Sequence, residues 1–363
     1  MTLSNNTWRK APVSETLGIV GPYIEQLPVI AQNDITYSPN IQCHTFEVRK
    51  EYSVSGYPNL GKGYTRDEAL LSGLMEAIEM SFIEGLVPLA WYSDKLQDSI
   101  EREDRDSSCP TSTLFGEERD ISLQDILFFK DKPRDFGSKS RTNGLASGRS
   151  LEEAIVHATH ELIERHVIGC TERYRLDPDC LTNDLMGFLK CLEDNQLDCS
   201  IYTFPSYAKT VTVEFHMVVR EHGSFDSYAG IGFGCSGEID VAVCRAISEA
   251  FQSVSVAKAI SMSKYGIGSE RTGAHYGYLE SFNRHLDNSR KLVEYIERTR
   301  VCCNKFASDS MLKTSNSYTV DDLSNYLSLE GVKSLGYILL SDLHLPFVAV
   351  RCFADGLENH YSF

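Results

Sequence analysis

Three segments of the chain repeat one helical pattern in the same register, and this repetition constrains the fold more than any other feature. Residues 65–82 and 150–167 each begin with a hydroxyl side chain that is followed three positions later by glutamate, which is the pattern of a capping box. Apolar residues then recur at the 3.6-residue period of an amphipathic helix. Residues 238–260 have the same period behind a less obvious cap. We therefore predict three equivalent helices, each preceded by a stretch that contains glycines.

Polar residues occupy matching positions in the three predicted helices. When the segments are aligned on Ala69, Ala154 and Ala242, polar residues lie three, seven and ten positions further on, which places them on one helix face. In a single helix such a face is typical of a solvated surface, but three faces in register indicate a shared function. The three sets are Ser72, Glu76 and Glu79; His157, Glu161 and Glu164; and Arg245, Glu249 and Gln252. Carboxylates that converge from separate helices would supply oxygen ligands for Mg²⁺, and phosphate oxygens and water would complete its shell.

Residues 55–65, SGYPNLGKGYT, come close to the phosphate-binding P-loop but lack one essential group. Gly56, Gly61 and Lys62 match its spacing, whereas Gly63 stands where the motif needs the hydroxyl that ligates Mg²⁺. We interpret the stretch as an ordinary turn before a helix. A bound nucleotide would need its metal ion held elsewhere.

Two further stretches give weaker alternatives. HATHELIERH, residues 157–166, gathers histidines and glutamates but matches neither zinc-helix spacing, H-E-x-x-H or H-x-x-E-H. AGIGFGCS, residues 229–236, is G-x-G-x-G rather than G-x-G-x-x-G, and no acidic residue is placed to bind a ribose. Glycines at the end of a strand explain the second stretch.

Composition argues against several classes of protein. The chain of 363 residues has 42% hydrophobic residues but neither a bilayer-spanning apolar run nor a signal peptide, so we expect a cytoplasmic protein without membrane contact. Its formal net charge of −16, without a basic cluster, argues against nucleic acid as a partner. The eleven cysteines include no C-x-x-C pair, so neither a zinc knuckle nor a disulfide framework is indicated.

Strand patterns lie between the helices, where residues alternate or are enriched in β-branched side chains. Residues 101–120 are predicted to be a surface excursion. The predicted strands are residues 41–49, 199–206, 209–221, 336–343 and 347–353.

Four blocks of this sequence resemble the YcaO family of ATP-dependent enzymes that activate peptide-backbone amides. The blocks are GKGYTRDEALLSGLMEAIE, NGLASGRSLEEAIVHATHELIER, GIGFGCSGEIDVAVCRAISEAFQS and SLGYILLSDLHLPFVAVRCFADGLE, and they follow the family's order. The resemblance implies an α+β fold in which mixed or antiparallel sheets pack with the three motif-bearing helices. It also implies one YcaO domain over residues 51–363, with an N-terminal extension over residues 1–50 packed on it.

The resemblance implies ATP and Mg²⁺ as cofactors, bound without a P-loop. Four crowded carboxylates would repel one another unless a divalent cation neutralised them, so the chemistry of the residues agrees with this. The implied metal ligands are Glu76, Glu79, Glu161 and Glu164; the implied catalytic residues are Arg165, Arg245 and Glu249; and the implied nucleotide contacts are Lys62, Asn143 and Gln252.

In the commonest reaction of the family, a Cys, Ser or Thr side chain of a ribosomally made precursor peptide attacks the preceding amide carbonyl. ATP phosphorylates the resulting oxyanion, and loss of phosphate leaves a thiazoline or oxazoline. The resemblance thus implies a cyclodehydratase of bacteriocin or other peptide-antibiotic maturation, often homodimeric, with a separate ThiF-like or TfuA-like leader-binding partner. Two alternatives stay open: thioamide formation from external sulfide with a TfuA-type partner, and a non-catalytic accessory subunit.

The sequence departs from the family pattern at three places. Met80 stands where the first helix usually has arginine, although Arg165 is present in the second helix. Val254 follows Gln252 and Ser253 where the family often has arginine. The chain ends in GLENHYSF, whereas azoline-forming members tend to end in a proline-rich tail. We nevertheless predict an active enzyme.

Overall fold

The computed structural model describes residues 11–51, 58–101, 108–127, 142–220, 227–264, 291–312, 314 and 319–357. Residues 55–57 of the P-loop-like stretch and the C-terminal residues 358–363 therefore lie outside the described residues. In chain order the elements are α1 (Val13–Ile24), β1 (Val29–Asp34), β2 (His44–Lys50), β3 (Asn59–Gly63), α2 (Arg66–Ile83), α3 (Asp94–Glu101), β4 (Ser108–Pro110), β5 (Ser112–Phe115), β6 (Asp120–Ser122), α4 (Leu123–Ile126), β7 (Leu145–Gly148), α5 (Leu151–Cys170), β8 (Tyr174–Arg175), α6 (Asn183–Asp194), β9 (Leu197–Thr203), β10 (Val211–Arg220), β11 (Ser227–Ser236), α7 (Ile239–Lys264), α8 (residues 291–302), α9 (Val320–Leu329), β12 (Ser334–Leu339) and β13 (Val348–Asp355).

The strands pair antiparallel in four sheets over the described ranges. Their strand orders are β1-β2-β3, β11-β10-β9-β8, β5-β12-β13-β7 and β4-β6. Helices separate these strands along the chain and pack on the sheets. The architecture is the predicted α+β class of antiparallel sheets packed with helices.

Each motif-bearing helix follows a strand and packs on that strand: α2 on β3, α5 on β7 and α7 on β11. We name these pairs the first, second and third strand–helix units. The predicted capping box of α2 is present, because Thr65 and Glu68 each accept a hydrogen bond from the other's backbone N–H. At α5, Ser150 accepts from the Glu153 backbone as predicted, whereas the Glu153 carboxylate accepts from the backbone of Arg149, one residue before the cap.

Glycine lets the strands of the first and third units approach their helices closely. A Cβ atom added at Gly61 would lie 1.9 Å from the backbone oxygen of Ala69, and one added at Gly232 would lie 2.0 Å from that of Ala246. Any larger side chain would therefore push strand and helix apart. The glycines before the motif-bearing helices set the distance between each helix and its strand.

The hydrophobic core lies between the helices and the sheets. In its first cluster, Val20 and Ile24 of α1 pack with Ile78 of α2. Strand β2 pairs with β1 on one side and with β3 on the other, so these strands belong to one sheet. The division into residues 1–50 and 51–363 stays a prediction.

The structure differs from the predicted elements in two places. All five predicted strands are present as β2, β9, β10, β12 and β13, with ends that differ by a few residues. Strand β11 was not among them, because alternating glycines give a segment little intrinsic strand preference. The glycines that we interpreted as the end of a strand lie inside β11. The second difference lies at residues 101–120, where β5 joins a sheet by pairing with β12 instead of forming a surface excursion. Among the described helices, none is long and apolar enough to cross a membrane.

Candidate functional site

Two contacts join the first strand–helix unit to the third. Lys62 Nζ on β3 lies 3.1 Å from Glu249 Oε2 on α7, and both side chains are mostly buried. One turn further along α7, Gln252 Nε2 donates a hydrogen bond of 2.7 Å to the backbone oxygen of Leu60 in β3. These contacts place the predicted nucleotide residues of β3 and α7 side by side.

The second unit meets the other two units at the same place. Ser147 Oγ on β7 donates a hydrogen bond of 2.6 Å to Glu79 Oε1 on α2. On α5, Glu164 lies close enough to Glu249 and Arg245 of α7 for their charges to act on its pKa. Helices α2, α5 and α7 therefore converge on one site.

The middle glutamate of each polar set is held by the strand segment that precedes its helix. In each case a carboxylate oxygen accepts a hydrogen bond from a backbone N–H. The three contacts are Leu60 N–H to Glu76 Oε2 at 3.1 Å, Gly144 N–H to Glu161 Oε2 at 3.3 Å and Phe233 N–H to Glu249 Oε2 at 3.4 Å. Because a backbone donor has a fixed position, these contacts orient the three carboxylates toward the site.

Burial raises the pKa values of three carboxyl groups in the site. The pKa is raised to about 7 for Glu76, about 8 for Glu79 and about 7 for Glu161, because their surroundings solvate a negative charge poorly. Hydrogen bonds from the strands oppose these rises, and so does Arg165, which lies 3.7 Å from Glu161. A divalent cation would draw all three groups into their charged form.

The pKa values of the remaining two carboxyl groups, Glu164 and Glu249, are shifted in opposite directions. Burial and the neighbouring Glu249 raise the pKa of Glu164, although Arg165 Nε lies 3.9 Å away and opposes the rise. Burial would also raise the pKa of Glu249, but the positive charges of Lys62 and Arg165 outweigh it and lower that pKa. Glu249 is therefore the charged partner of Lys62, whereas burial makes the charged form of Glu164 less favourable than it is in water.

Asn143 supplies an unsatisfied acceptor beside this group. Its Oδ1 atom is enclosed and makes no hydrogen bond to any residue that the structure describes. The next residue, Gly144, is the backbone donor to Glu161. A buried amide oxygen without a donor is unfavourable, so this position fits a hydrogen-bond donor from a bound molecule.

The charges of the site fit Mg²⁺ that arrives with a nucleotide. The predicted residues include five carboxyl groups against two arginines and one lysine, so the site becomes negative once a divalent cation draws the carboxyl groups into their charged form. Across the described part of the chain, no three Asp, Glu, His or Cys side chains form a group that could hold a metal ion by themselves. Mg²⁺ commonly uses one or two carboxylates together with phosphate oxygens, so this spacing suits a shared shell better than a protein cage.

The first helix lacks the arginine of the family pattern, and a different cation lies behind it. Met80 packs against the first hydrophobic cluster. Lys50 Nζ at the end of β2 is buried and lies 2.5 Å from Glu84 Oε2 at the end of α2. Lys50 is also near enough to Glu76 to oppose the rise in its pKa.

Apart from Lys62, the parts of the site that come from strands were not predicted from the sequence. The backbone of Leu60 has no sequence signature, because any residue provides the same N–H and C=O groups. Lys50 lies in a segment without a motif. Ser147 did have a signal, since the register that aligns the three helices also aligns Ser147 with Lys62.

Comparison with known proteins identifies the family. A family model described as YcaO cyclodehydratase, ATP- and Mg²⁺-binding, matches residues 109–358, which is more than half of the chain. The chain belongs to the YcaO family. ATP and Mg²⁺ are the cofactors of this family, and the predictions of the family and of both cofactors are confirmed.

Solved structures of low identity show the same fold. YcaO from Methanopyrus kandleri, bound with AMPPCP and Mg²⁺, is 18% identical, matches 99% of this chain and 96% of that chain, and has a TM-score of 0.69. A heterocyclase in complex with substrate and cofactor is 15% identical, matches 98% of this chain and 53% of its own, and has a TM-score of 0.68. The chain thus spans about half the length of that heterocyclase. The predicted YcaO-type fold is confirmed.

A curated relative matches at higher identity. It is an uncharacterized protein of Methanothermobacter thermautotrophicus, 26% identical over 267 residues, which are 66% of this chain and 69% of the relative. Its description adds no activity. Family membership and the heterocyclase fold together support the coarser prediction, an ATP-dependent enzyme of the YcaO type.

Proposed function

We propose that this YcaO protein uses ATP and Mg²⁺ to phosphorylate a backbone amide oxygen of a ribosomally made precursor peptide. A Cys, Ser or Thr side chain of the peptide would attack the amide carbonyl, ATP would phosphorylate the resulting oxyanion, and loss of phosphate would leave an azoline ring. The observation that carries the proposal is the convergence of largely buried carboxylates and cations from three helices on one site. An amide oxygen is a very poor leaving group, and transfer of a phosphoryl group to it removes that barrier.

The proposed metal ligands are the acidic residues whose pKa values burial raises. Mg²⁺ bound there would neutralise phosphate oxygens and stabilise the charge that develops during phosphoryl transfer. The strand N–H groups and Ser147 would fix the carboxylate orientations, so that little reorganisation is needed when the cation binds. The residues are Glu76, Glu79, Glu161 and Glu164.

The cationic residues would act on the nucleotide itself. Arg165 and Arg245 would stabilise negative charge on the transferred phosphoryl group. Glu249 would hold Lys62 toward the phosphates, a role supported by their 3.1 Å ion pair. Asn143 and Gln252 would complete the nucleotide contacts. The Oδ1 atom of Asn143 is an enclosed acceptor, and Gln252 donates a hydrogen bond to β3, the strand that contains Lys62.

The finer biological role follows from the family resemblance and is also proposed. We favour maturation of a bacteriocin or another peptide antibiotic in the cytoplasm by a homodimer of this chain. A separate ThiF-like or TfuA-like protein would bind the leader of the precursor peptide. Because the chain spans about half of the heterocyclase that it resembles in fold, its substrate and partners need direct identification.

Calorimetric titration of ATP with Mg²⁺ tests the nucleotide site. We expect binding in about the micromolar range for the wild type, and loss of binding in Glu161→Gln, which keeps the side-chain shape but removes its charge. Glu172→Gln, on an exposed glutamate after α5, is the matched control and should bind as the wild type does. Absence of binding to the wild type would contradict the proposed function.

Mass spectrometry of a modified precursor peptide tests the reaction. Loss of one water from the peptide, together with conversion of ATP to ADP and phosphate, is the expected result for azoline formation. Replacement of one oxygen by sulfur would instead indicate a thioamide. Binding of ATP without its consumption, in the presence of peptide and partner, would favour an accessory subunit.

A further inference from the structure

The three strand–helix units correspond in their strands as well as in their helices. The alignment that superposes the middle glutamates can be extended backwards into β3, β7 and β11. Fourteen residues before each middle glutamate, it reaches a position inside or at the end of the preceding strand. The residues at this position are Lys62, Ser147 and Cys235.

Residues at this strand position contact the helix of a different unit. Lys62 of the first unit lies 3.1 Å from Glu249 of the third unit. Ser147 of the second unit donates a hydrogen bond of 2.6 Å to Glu79 of the first unit. Each of these two strand residues therefore holds a carboxylate of the preceding unit, with the third unit taken as the one that precedes the first.

The third unit fits the same circular order. Cys235 in β11 is buried, and the charge of Glu164 on α5 acts on its thiol. Glu164 belongs to the second unit, which is the unit that precedes the third. The third position is thus near the preceding unit, whereas the direct contacts are those of Lys62 and Ser147.

We propose that Ser147 is a positioning residue that holds Glu79 for Mg²⁺. It occupies in the second unit the position that Lys62 occupies in the first. The inference rests on the proposed function, because it takes Glu79 as a metal ligand. The hydroxyl of Ser147 donates a hydrogen bond to Oε1 of Glu79, and the backbone of Ser147 also hydrogen-bonds this carboxylate. A hydroxyl orients a carboxylate without neutralising it, whereas a lysine at the same position, as in the first unit, forms an ion pair.

The position of Ser147 in a paired strand fixes the direction of its side chain. The residue lies in the middle of β7, which pairs with β13, and its side chain is nearly enclosed. Because the backbone of a paired strand is held in place, the Ser147 hydroxyl is held in position to contact Glu79 on α2. Loss of the hydroxyl would leave Glu79 with only the backbone hydrogen bond of Ser147 and would weaken its use as a ligand.

The test is a titration of Mg²⁺ at fixed ATP, followed by calorimetry, with the full chain. For Ser147→Ala we expect the apparent Mg²⁺ affinity to fall about ten- to a hundredfold, as for other residues that orient metal ligands. ATP affinity at saturating Mg²⁺ should return to that of the wild type. Ser147→Thr keeps the hydroxyl and should restore Mg²⁺ affinity. Ser93→Ala removes another buried serine hydrogen bond of 2.6 Å, to the backbone of Leu339, and should leave Mg²⁺ affinity unchanged.

A second substitution keeps the proposal testable if the alanine variant folds poorly. Ser147→Cys has nearly the same volume but a weak donor, so it should also lower Mg²⁺ affinity. Wild-type Mg²⁺ affinity in both Ser147→Ala and Ser147→Cys would overturn the proposal, and so would a threonine variant as weak as the alanine variant. If the wild type binds no ATP at all, the proposed function is contradicted. This outcome differs from an unchanged Mg²⁺ affinity in the Ser147 variants, which contradicts only the role of Ser147.

Discussion

Replacement of Glu79 by glutamine is expected to stabilise the ligand-free protein at alkaline pH, although it removes a proposed metal ligand. Burial raises the pKa of Glu79 to about 8, whereas the same group has a pKa near 4.5 when it is not perturbed. Ionisation in the folded protein is therefore unfavourable. Glutamine has the same shape and can still accept a hydrogen bond from Ser147, but it has no charge to desolvate.

The sign and size of the effect follow from proton linkage. A group with a raised pKa in the folded state stabilises the protein below its unfolded pKa, and this stability is lost as pH rises through the folded pKa. At 1.36 kcal/mol per pKa unit, the wild type should lose about 3 kcal/mol from this group between about pH 5.5 and 8. Glu79 is only partly buried, and solvent screening reduces our expectation to about 2 kcal/mol.

Urea denaturation over this pH range, without nucleotide, measures the effect. The free energy of unfolding of Glu79→Gln should exceed that of the wild type by a margin that grows with pH to about 2 kcal/mol. Glu193→Gln, on the exposed surface of α6, is the control and should follow the wild-type pH dependence. Addition of ATP and Mg²⁺ should stabilise the wild type and the control, but not Glu79→Gln. Parallel pH curves for Glu79→Gln and the wild type would refute the argument.

Two further substitutions test the contacts between the units. Lys62→Met removes the partner of Glu249 and should weaken binding of ATP with Mg²⁺ about tenfold in calorimetry, whereas Lys62→Arg should retain most of it. An unchanged affinity in Lys62→Met would count against the ion pair. Gly232→Ala places a Cβ 2.0 Å from the backbone oxygen of Ala246 and should lower the free energy of unfolding by about 3 kcal/mol or more. In the control, Gly18→Ala in α1, the added Cβ meets no atom within 4 Å, so the free energy of unfolding should rise by about 0.5 to 1 kcal/mol. Equal denaturation midpoints for the two variants would be incompatible with close strand–helix packing.

The helices of the site could be predicted from the sequence because their signals are local. A capping box and a 3.6-residue period depend on residues within a few turns of one another, and α2 begins at its predicted cap. The i, i+4 and i+7 spacing likewise fixes which side chains share a face. For this reason Glu76, Glu161 and Glu249 could be aligned before any contact between helices was known.

The strands and their contacts could not be predicted in the same way. Strand β11 has glycines at alternate positions, and only close packing on α7 explains them. Lys50 and Glu84 form a buried ion pair between β2 and α2, which no local pattern specifies. Convergence of the three units is also non-local, and the family resemblance rather than residue spacing indicated it.

The ion pair between Lys62 and Glu249 joins positions 187 residues apart, and this has a consequence for protein synthesis. The ribosome makes the first unit early, but the proposed nucleotide site lacks Glu249 and Gln252 until α7 has emerged and folded. A nascent chain that ends before α7 would therefore have acidic residues but no complete site for ATP. With these residues as the nucleotide site, we expect a nascent chain to bind ATP only after more than two thirds of the polypeptide has been made.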